Sequence, residues 1–139
     1  MSERTLAIIK PDAVAARQAG AILTMIEQAG FRILGMRMLR LSQRQAEGFY
    51  AVHRGKPFFE SLCRFMSQGP AIVLVLEAEG AIQKWRDLMG PTNPAQAPEG
   101  TVRQRFGSNI ERNAVHGSDA AETAAFELGY FFSGMELIE

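Results

Sequence analysis

Two histidines occur in the 139 residues, and one of them, His116, stands directly before Gly117-Ser118-Asp119 in the stretch NAVHGSDAAETAAFELGYFF, residues 113–132. An imidazole can be a structural side chain, a metal ligand, a general base or a nucleophile. Metal binding fits poorly, because His53 and His116 offer no H-x-x-x-H spacing and the single cysteine, Cys63, rules out a Cys-based zinc cluster. A Ser-His-Asp hydrolase fits poorly too, since Ser118 shares the same short loop and has no nucleophile-elbow setting. The neighbours favour chemistry. Ser118 supplies a hydroxyl, and Asp119 opens a helix whose N-terminus attracts anions. Glu127 on that helix can turn back to hold one ring nitrogen, fixing the tautomer and leaving the other nitrogen free to attack.

Cations gather upstream of this stretch. Lys84, Arg86, Arg103, Arg105 and Arg112 crowd the preceding segment, and no Lys or Arg follows Arg112. Arginine suits bidentate phosphate recognition. Over the whole chain 15 basic residues balance 15 acidic ones, so neither nucleic acid nor an anionic membrane is indicated as partner. One cysteine permits no intramolecular disulfide, which points to a reducing, cytoplasmic setting. The N-terminal apolar run is closed by Lys10-Pro11, too early for a signal peptide, and no stretch approaches the roughly 20 apolar residues of a membrane span.

The length and the 47% hydrophobic content suit one domain, residues 1–139, with a single core. RTLAIIK reads as a buried strand stopped by proline. Asp12 can cap a helix in which Ala19, Ile22, Leu23 and Ile26 recur, with Gly30 past its end. FRILGMRMLRL alternates as a second strand, Ser42 and Gln45 form a capping box, and residues 58–66 make an amphipathic helix. AIVLVLEAE is the clearest strand, and AIQKWRDLM a helix closed by Gly90. The Pro-rich loop PTNPAQAPEG is long enough to suggest function. Asp119 and Glu122 form a second capping box for a helix running to about Phe131. Connections too short for parallel crossovers favour an α+β domain with helices on an antiparallel sheet.

Five stretches, in order and at family spacing, resemble nucleoside diphosphate kinase: TLAIIKPDAV (5–14), GKPFF (55–59), RDLMGPTNP (86–94), GTVR (100–103) and NAVHGSD (113–119). The resemblance implies a ferredoxin-like βαββαβ fold with a four-stranded antiparallel sheet, in a homo-oligomer (tetramer or hexamer). It implies a ping-pong reaction in which a nucleoside triphosphate phosphorylates a histidine and a diphosphate collects the phosphoryl group. His116 corresponds to the nucleophile through the ring nitrogen nearer the backbone, with Glu127 and Ser118 orienting the ring. Lys10 would contact the sugar 3′-hydroxyl and the transferred phosphate, with Tyr50 beside it. Arg86, Thr92 and Arg103 would hold phosphates and Asn113 the sugar, while Phe58 and Ile110 would cover the two faces of the base. Mg²⁺ would arrive on the nucleotide phosphates, with no protein metal ligands, which suits the lack of an acidic cluster.

Four positions depart from the family pattern. Ala120 and Gln68 stand where serine is usual, Thr123 where serine is common, and Arg105 where an acid is usual. Each residue also has an ordinary reading. Lys10 can be a solvated strand end, Phe58 core, Arg86 an exposed helix charge, Asn113 a turn residue and Glu127 a solvated acid.

Overall fold

The computed structural model describes residues 2–138. Its centre is a four-stranded antiparallel sheet in the order β2-β3-β1-β4, built from β1 (Ser2–Ile9), β2 (Arg32–Leu39), β3 (Ala71–Glu79) and β4 (Val115–Gly117). The two long apolar runs, β1 and β3, lie at its middle with Leu6 opposite Val75 and Ile8 opposite Val73. Strands covered on both faces read as continuous apolar runs, which is why these two were legible.

Successive side chains of a strand point to opposite faces. Leu6, Ile8, Val73 and Val75 enter one cluster, which is closed by α3 (Gln43–Phe49), α4 (Phe59–Met66) and α7 (Ala121–Phe131). Ala7, Ile9, Ile72 and Leu74 enter the other, beneath α1 (Pro11–Ala15), α2 (Ala19–Gln28), α5 (Ala81–Met89) and α6 (Val102–Phe106). The expected α+β architecture is present. Ser42 and Gln45 form the anticipated capping box at α3.

Five local expectations are corrected. The helix expected from Asp12 onward is two helices, because Arg17 adopts a left-handed φ of 61°. There the Arg17 N–H bonds Val14 O and the Gln18 N–H bonds Ala13 O, a helix-ending Schellman arrangement. Asp12 does not cap α1; its Oδ2 accepts from the Ala114 N–H across the sheet (3.1 Å). Phe58 precedes α4 as its N-cap rather than lying within it.

At α7 the Asp119–Glu122 box is replaced by Thr123. Its hydroxyl donates to Asp119 Oδ1 (2.6 Å) and accepts from the N–H of Ala120, the N-cap residue (3.0 Å). Ala120 has no capping side chain of its own, so Thr123 takes that work. His116, read as lying in a loop, is the middle residue of β4. A three-residue strand leaves too short a period to see in the sequence.

Candidate active site

Strand register places His116. It lies opposite Ile8 of β1 and therefore on the face covered by α3 and α7, while Val115 and Gly117, opposite Ile9 and Ala7, turn to the other face. Its ring packs edge-on against Phe49 (5.3 Å between centroids) and Tyr50 (6.0 Å). Nε2 lies 2.9 Å from Glu127 Oε1, and the Ser118 hydroxyl donates to the same oxygen at 2.7 Å. A carboxylate oxygen only accepts, so Nε2 carries the proton. Nδ1, the nitrogen nearer the backbone, has no hydrogen-bond partner among the described residues and keeps its lone pair. Imidazole and carboxylate are both partly buried, 18% and 13% exposed, so water competes little for the pair.

A second cluster centres on Asn113. It is 2% exposed and accepts from Lys10 Nζ at 2.8 Å. Its amide donates to Thr92 O (3.0 Å) and Ile110 O (2.9 Å). Arg103, also buried, donates to Gly90 O (2.9 Å), Val115 O (2.8 Å) and Asn113 O (3.3 Å). Lys10 is no solvated strand end. Burial, and then the Arg103 guanidinium, bring its pKa down to about 8. Burial, and then Arg86, lower Arg103 to about 10. Two buried cations with no carboxylate in ion-pair contact among the described residues form a place prepared for an anion.

Beside this cluster opens a groove of about 460 Å³ whose walls include Arg86, Gly90, Thr92, Pro98 and Arg103. Arg86 is exposed and reaches Asp119 O at 3.4 Å. The groove has Arg86, Thr92 and Arg103 in its walls, while His116, Lys10, Phe58 and Ile110 stand outside them. Phe58 and Ile110 are 47% and 61% exposed, so Phe58 is not core. The loop carrying Ile110 is moored to α4 twice. Ser61 donates to Glu111 (2.7 Å), and Arg112 lies over Phe65 and donates to Gln68 (3.4 Å).

The Tyr50 hydroxyl is buried with no hydrogen-bond partner among the described residues, and burial, together with Glu127, pushes its ionisation well above the ordinary phenol range. An orphaned O–H of this kind is costly unless a ligand uses it. His53 escaped the sequence reading except as a rejected metal ligand. It stacks near Tyr50 (6.3 Å) and Phe58 (5.3 Å), with Lys56 Nζ 3.3 Å from its Nδ1. Burial, then Lys56, lower its pKa. Its position three residues after Tyr50 and five before Phe58 was the available signal. Ala114, between the two clusters, has φ 73°, a conformation rare for a residue with a Cβ. The Asp12–Ala114 bond holds that turn.

Fold and site together define an α+β domain that sets a proton-fixed histidine beside buried cations. The chain belongs to the nucleoside diphosphate kinase family, whose model, described as "Nucleoside diphosphate kinase", matches residues 3–137. Proteins named nucleoside diphosphate kinase from Syntrophotalea carbinolica and Desulfotalea psychrophila are 66% and 64% identical to it over 136 residues, covering 98% of this chain and 99% of theirs. The Aquifex aeolicus nucleoside diphosphate kinase structure superposes with a TM-score of 0.98 at 42% identity, covering 99% of this chain and 100% of that one. A halophilic nucleoside diphosphate kinase from Halobacterium salinarum in complex with CDP superposes with a TM-score of 0.96 at 35% identity, covering 100% of this chain and 93% of that one.

Proposed function

We propose that this protein moves the terminal phosphoryl group of a nucleoside triphosphate, typically ATP, to a nucleoside diphosphate through phosphohistidine on His116. The observation that carries the reading is the pairing of Nε2 with Glu127, which leaves Nδ1 as the free nucleophile. In the first half, the Nδ1 lone pair attacks the γ-phosphorus, an N–P bond forms, and the bond to the β-γ bridging oxygen breaks. The diphosphate departs with that electron pair. In the second half, a terminal oxygen of another diphosphate attacks the phosphorus and the N–P electrons return to the ring. No proton needs to leave the protein, because Nε2–H stays on Glu127 while positive charge grows on the imidazole.

Arg86, Arg103 and Thr92 serve the phosphates from the groove, and Lys10 serves the transferred group. Phosphoryl transfer depends chiefly on such positioning and charge neutralisation. Tyr50 offers its unpartnered hydroxyl beside them. Asn113 and Lys10 receive the sugar, while Phe58 and Ile110 take the base between exposed apolar surfaces. Stacking accepts any base, which suits an enzyme that equalises nucleotide pools. Mg²⁺ comes as part of the nucleotide substrate. Among the described residues no group of three or more His, Cys, Asp or Glu gathers to hold it, and the surplus of cations suits phosphates instead.

The working form is a homo-oligomer, tetramer or hexamer. Its support is the sheet edge at β2, where Met36 and Met38 are 54% and 63% exposed. The setting is the cytoplasm. No helix among the described residues is long and apolar enough to cross a membrane.

The test is chemical. Protein incubated with γ-labelled ATP and stripped of nucleotide is expected to carry an acid-labile, alkali-stable label that passes to any added nucleoside diphosphate. His116→Ala is expected to carry none and to show no steady-state transfer. An acid-stable, transferable label would move the chemistry to Ser118. A chain that binds nucleotide without forming any label would be a regulatory module of the same fold.

A further inference from the structure

Trp85 and Arg86 are consecutive residues of α5, and each donates to a main-chain carbonyl of the histidine segment. Trp85 Nε1 reaches His116 O at 3.1 Å, and Arg86 reaches Asp119 O at 3.4 Å. Trp85 is the chain's single tryptophan and is fully buried. Its ring fills the space that a side chain at residue 117 would need. A Cβ on Gly117 would lie 2.5 Å from Trp85 Cδ1 and 2.7 Å from Met89 Cε, closer than real Cβ contacts come. Phe31 braces the indole edge-on at 6.2 Å. The residue just after His116 is therefore seated against Cδ1 and Nε1 of the indole, while the carbonyl of His116 itself is tied to the indole N–H.

Arg103 of α6 also ties the Val115 carbonyl, and on the opposite face of β4 His116 makes ring contacts with Phe49 and Tyr50 and a bond to Glu127. Those contacts orient the ring. They do not hold the backbone of a three-residue edge strand against α5.

We propose that Trp85 is a positioning residue for phosphoryl transfer: it fixes the backbone of His116 to the helix that carries Arg86, so that nucleophile and phosphate-holding arginine keep one spacing. The proposal rests on His116 being the nucleophile. A misplacement of about 1 Å at the reacting centre can cost on the order of a hundredfold in rate. Loss of the indole donor should therefore slow phosphorylation without weakening nucleotide capture in proportion.

The experiment replaces Trp85 with benzothienylalanine, which keeps the bicyclic shape but puts sulfur where the N–H was, and separately makes Trp85→Phe. Single-turnover phosphorylation by ATP, ATP affinity and thermal midpoint are measured on each. The expected result is a folded isostere whose phosphorylation rate falls about tenfold while its ATP Kd moves less than about twofold. In the unmodified protein, indole emission is expected to shift on phosphorylation and to return when a nucleoside diphosphate is added.

An isostere phosphorylated at the unmodified rate overturns the proposal, as does equal loss of affinity and rate. Emission unresponsive to full phosphorylation overturns it even where both variants fail to fold. The underlying reading fails separately: then no acid-labile label forms in the unmodified chain, and the proposal falls with it.

Discussion

The ammonium of Lys10 and the side-chain oxygen of Asn113 meet at 2.8 Å, at the end of β1 and 103 positions away along the chain. Lys10 thus gains a hydrogen bond but no carboxylate in ion-pair contact among the described residues, and burial, only partly opposed by Asp12 and Glu111, brings its pKa from the ordinary 10.5 to about 8. The sign of the linkage follows. Below about pH 8 the folded protein holds a charged, buried lysine, and the cost is fully present; between about 8 and 10.5 the unfolded chain binds more protons, so stability rises with pH. A depression of that size corresponds to about 3 kcal/mol. Lys10→Met leaves the buried Asn113 oxygen without its donor, at a cost of about 1–3 kcal/mol that offsets most of this. The variant is therefore expected to lose the rise of stability between about pH 8 and 10.5 along with most activity. Urea unfolding at pH 7 and pH 10 measures that rise, and a rise of equal size in Lys10→Met contradicts the account.

The same group predicts a limb in the rate profile. kcat/KM for ATP is expected to fall as pH rises through about 8, when free enzyme loses the Lys10 charge. The corresponding limb in kcat should lie higher, because bound phosphates favour the ammonium. Lys10→Gln should abolish the limb within its residual activity; if the limb persists there, another group is responsible.

Arg103 is used structurally before any nucleotide arrives. Three of its N–H groups hold the carbonyls of Gly90, Asn113 and Val115, and two remain for phosphate. Arg103→Met is expected to lower the thermal midpoint by several degrees as well as raising KM. Each abandoned buried carbonyl costs on the order of 1–3 kcal/mol. Arg103→Lys should restore little, since an ammonium cannot span three fixed acceptors with the same planar fork. Calorimetry decides: a midpoint unchanged in Arg103→Met would confine the residue to ligand binding.

Glu127→Gln is expected to slow phosphorylation about 10²–10⁴-fold with little change in nucleotide affinity, because it removes the negative partner of the imidazole. Ser118→Ala should cost far less, since its hydroxyl only shares that carboxylate oxygen. Rapid-quench measurements on both variants check the order. Equal effects would mean that Ser118 has a role of its own.

For substrates, exposed Phe58 and Ile110 predict acceptance of all common bases with modest differences in kcat/KM. The Lys10–Asn113 pair predicts good use of 2′-deoxy and poor use of 3′-deoxy nucleotides. Strict preference for one base, or indifference to the 3′-hydroxyl, runs against these placements.

The antiparallel architecture could be read from connections too short for parallel crossovers, the strands β1 and β3 from their apolar runs, and the start of α3 from the Ser42–Gln45 box. What escaped was non-local or too short to have a period. β4 has three residues, and α6 has five. The break at Arg17 depends on a left-handed residue that is not glycine. Among the site residues, the His116–Glu127 pairing was foreseeable from helical spacing after the Gly-Ser-Asp turn. The consumption of Arg103 by backbone carbonyls was not, because those acceptors carry no side-chain signature. Arg86 keeps its ordinary reading as an exposed helix charge alongside its place on the groove wall.

The register of β4 gives this enzyme an unusual kind of fragility. Because His116 is paired with Ile8 and its neighbours face the other way, removing one residue between 113 and 116 would swing the imidazole through the sheet and into the layer occupied by Trp85 and Met89. A substitution there alters a contact; a deletion exchanges inside for outside. Variant libraries built on this scaffold should therefore hold the letter count around the histidine constant, and a frameshift-repaired relative with one codon too few should fold around a sheet that has lost its chemistry.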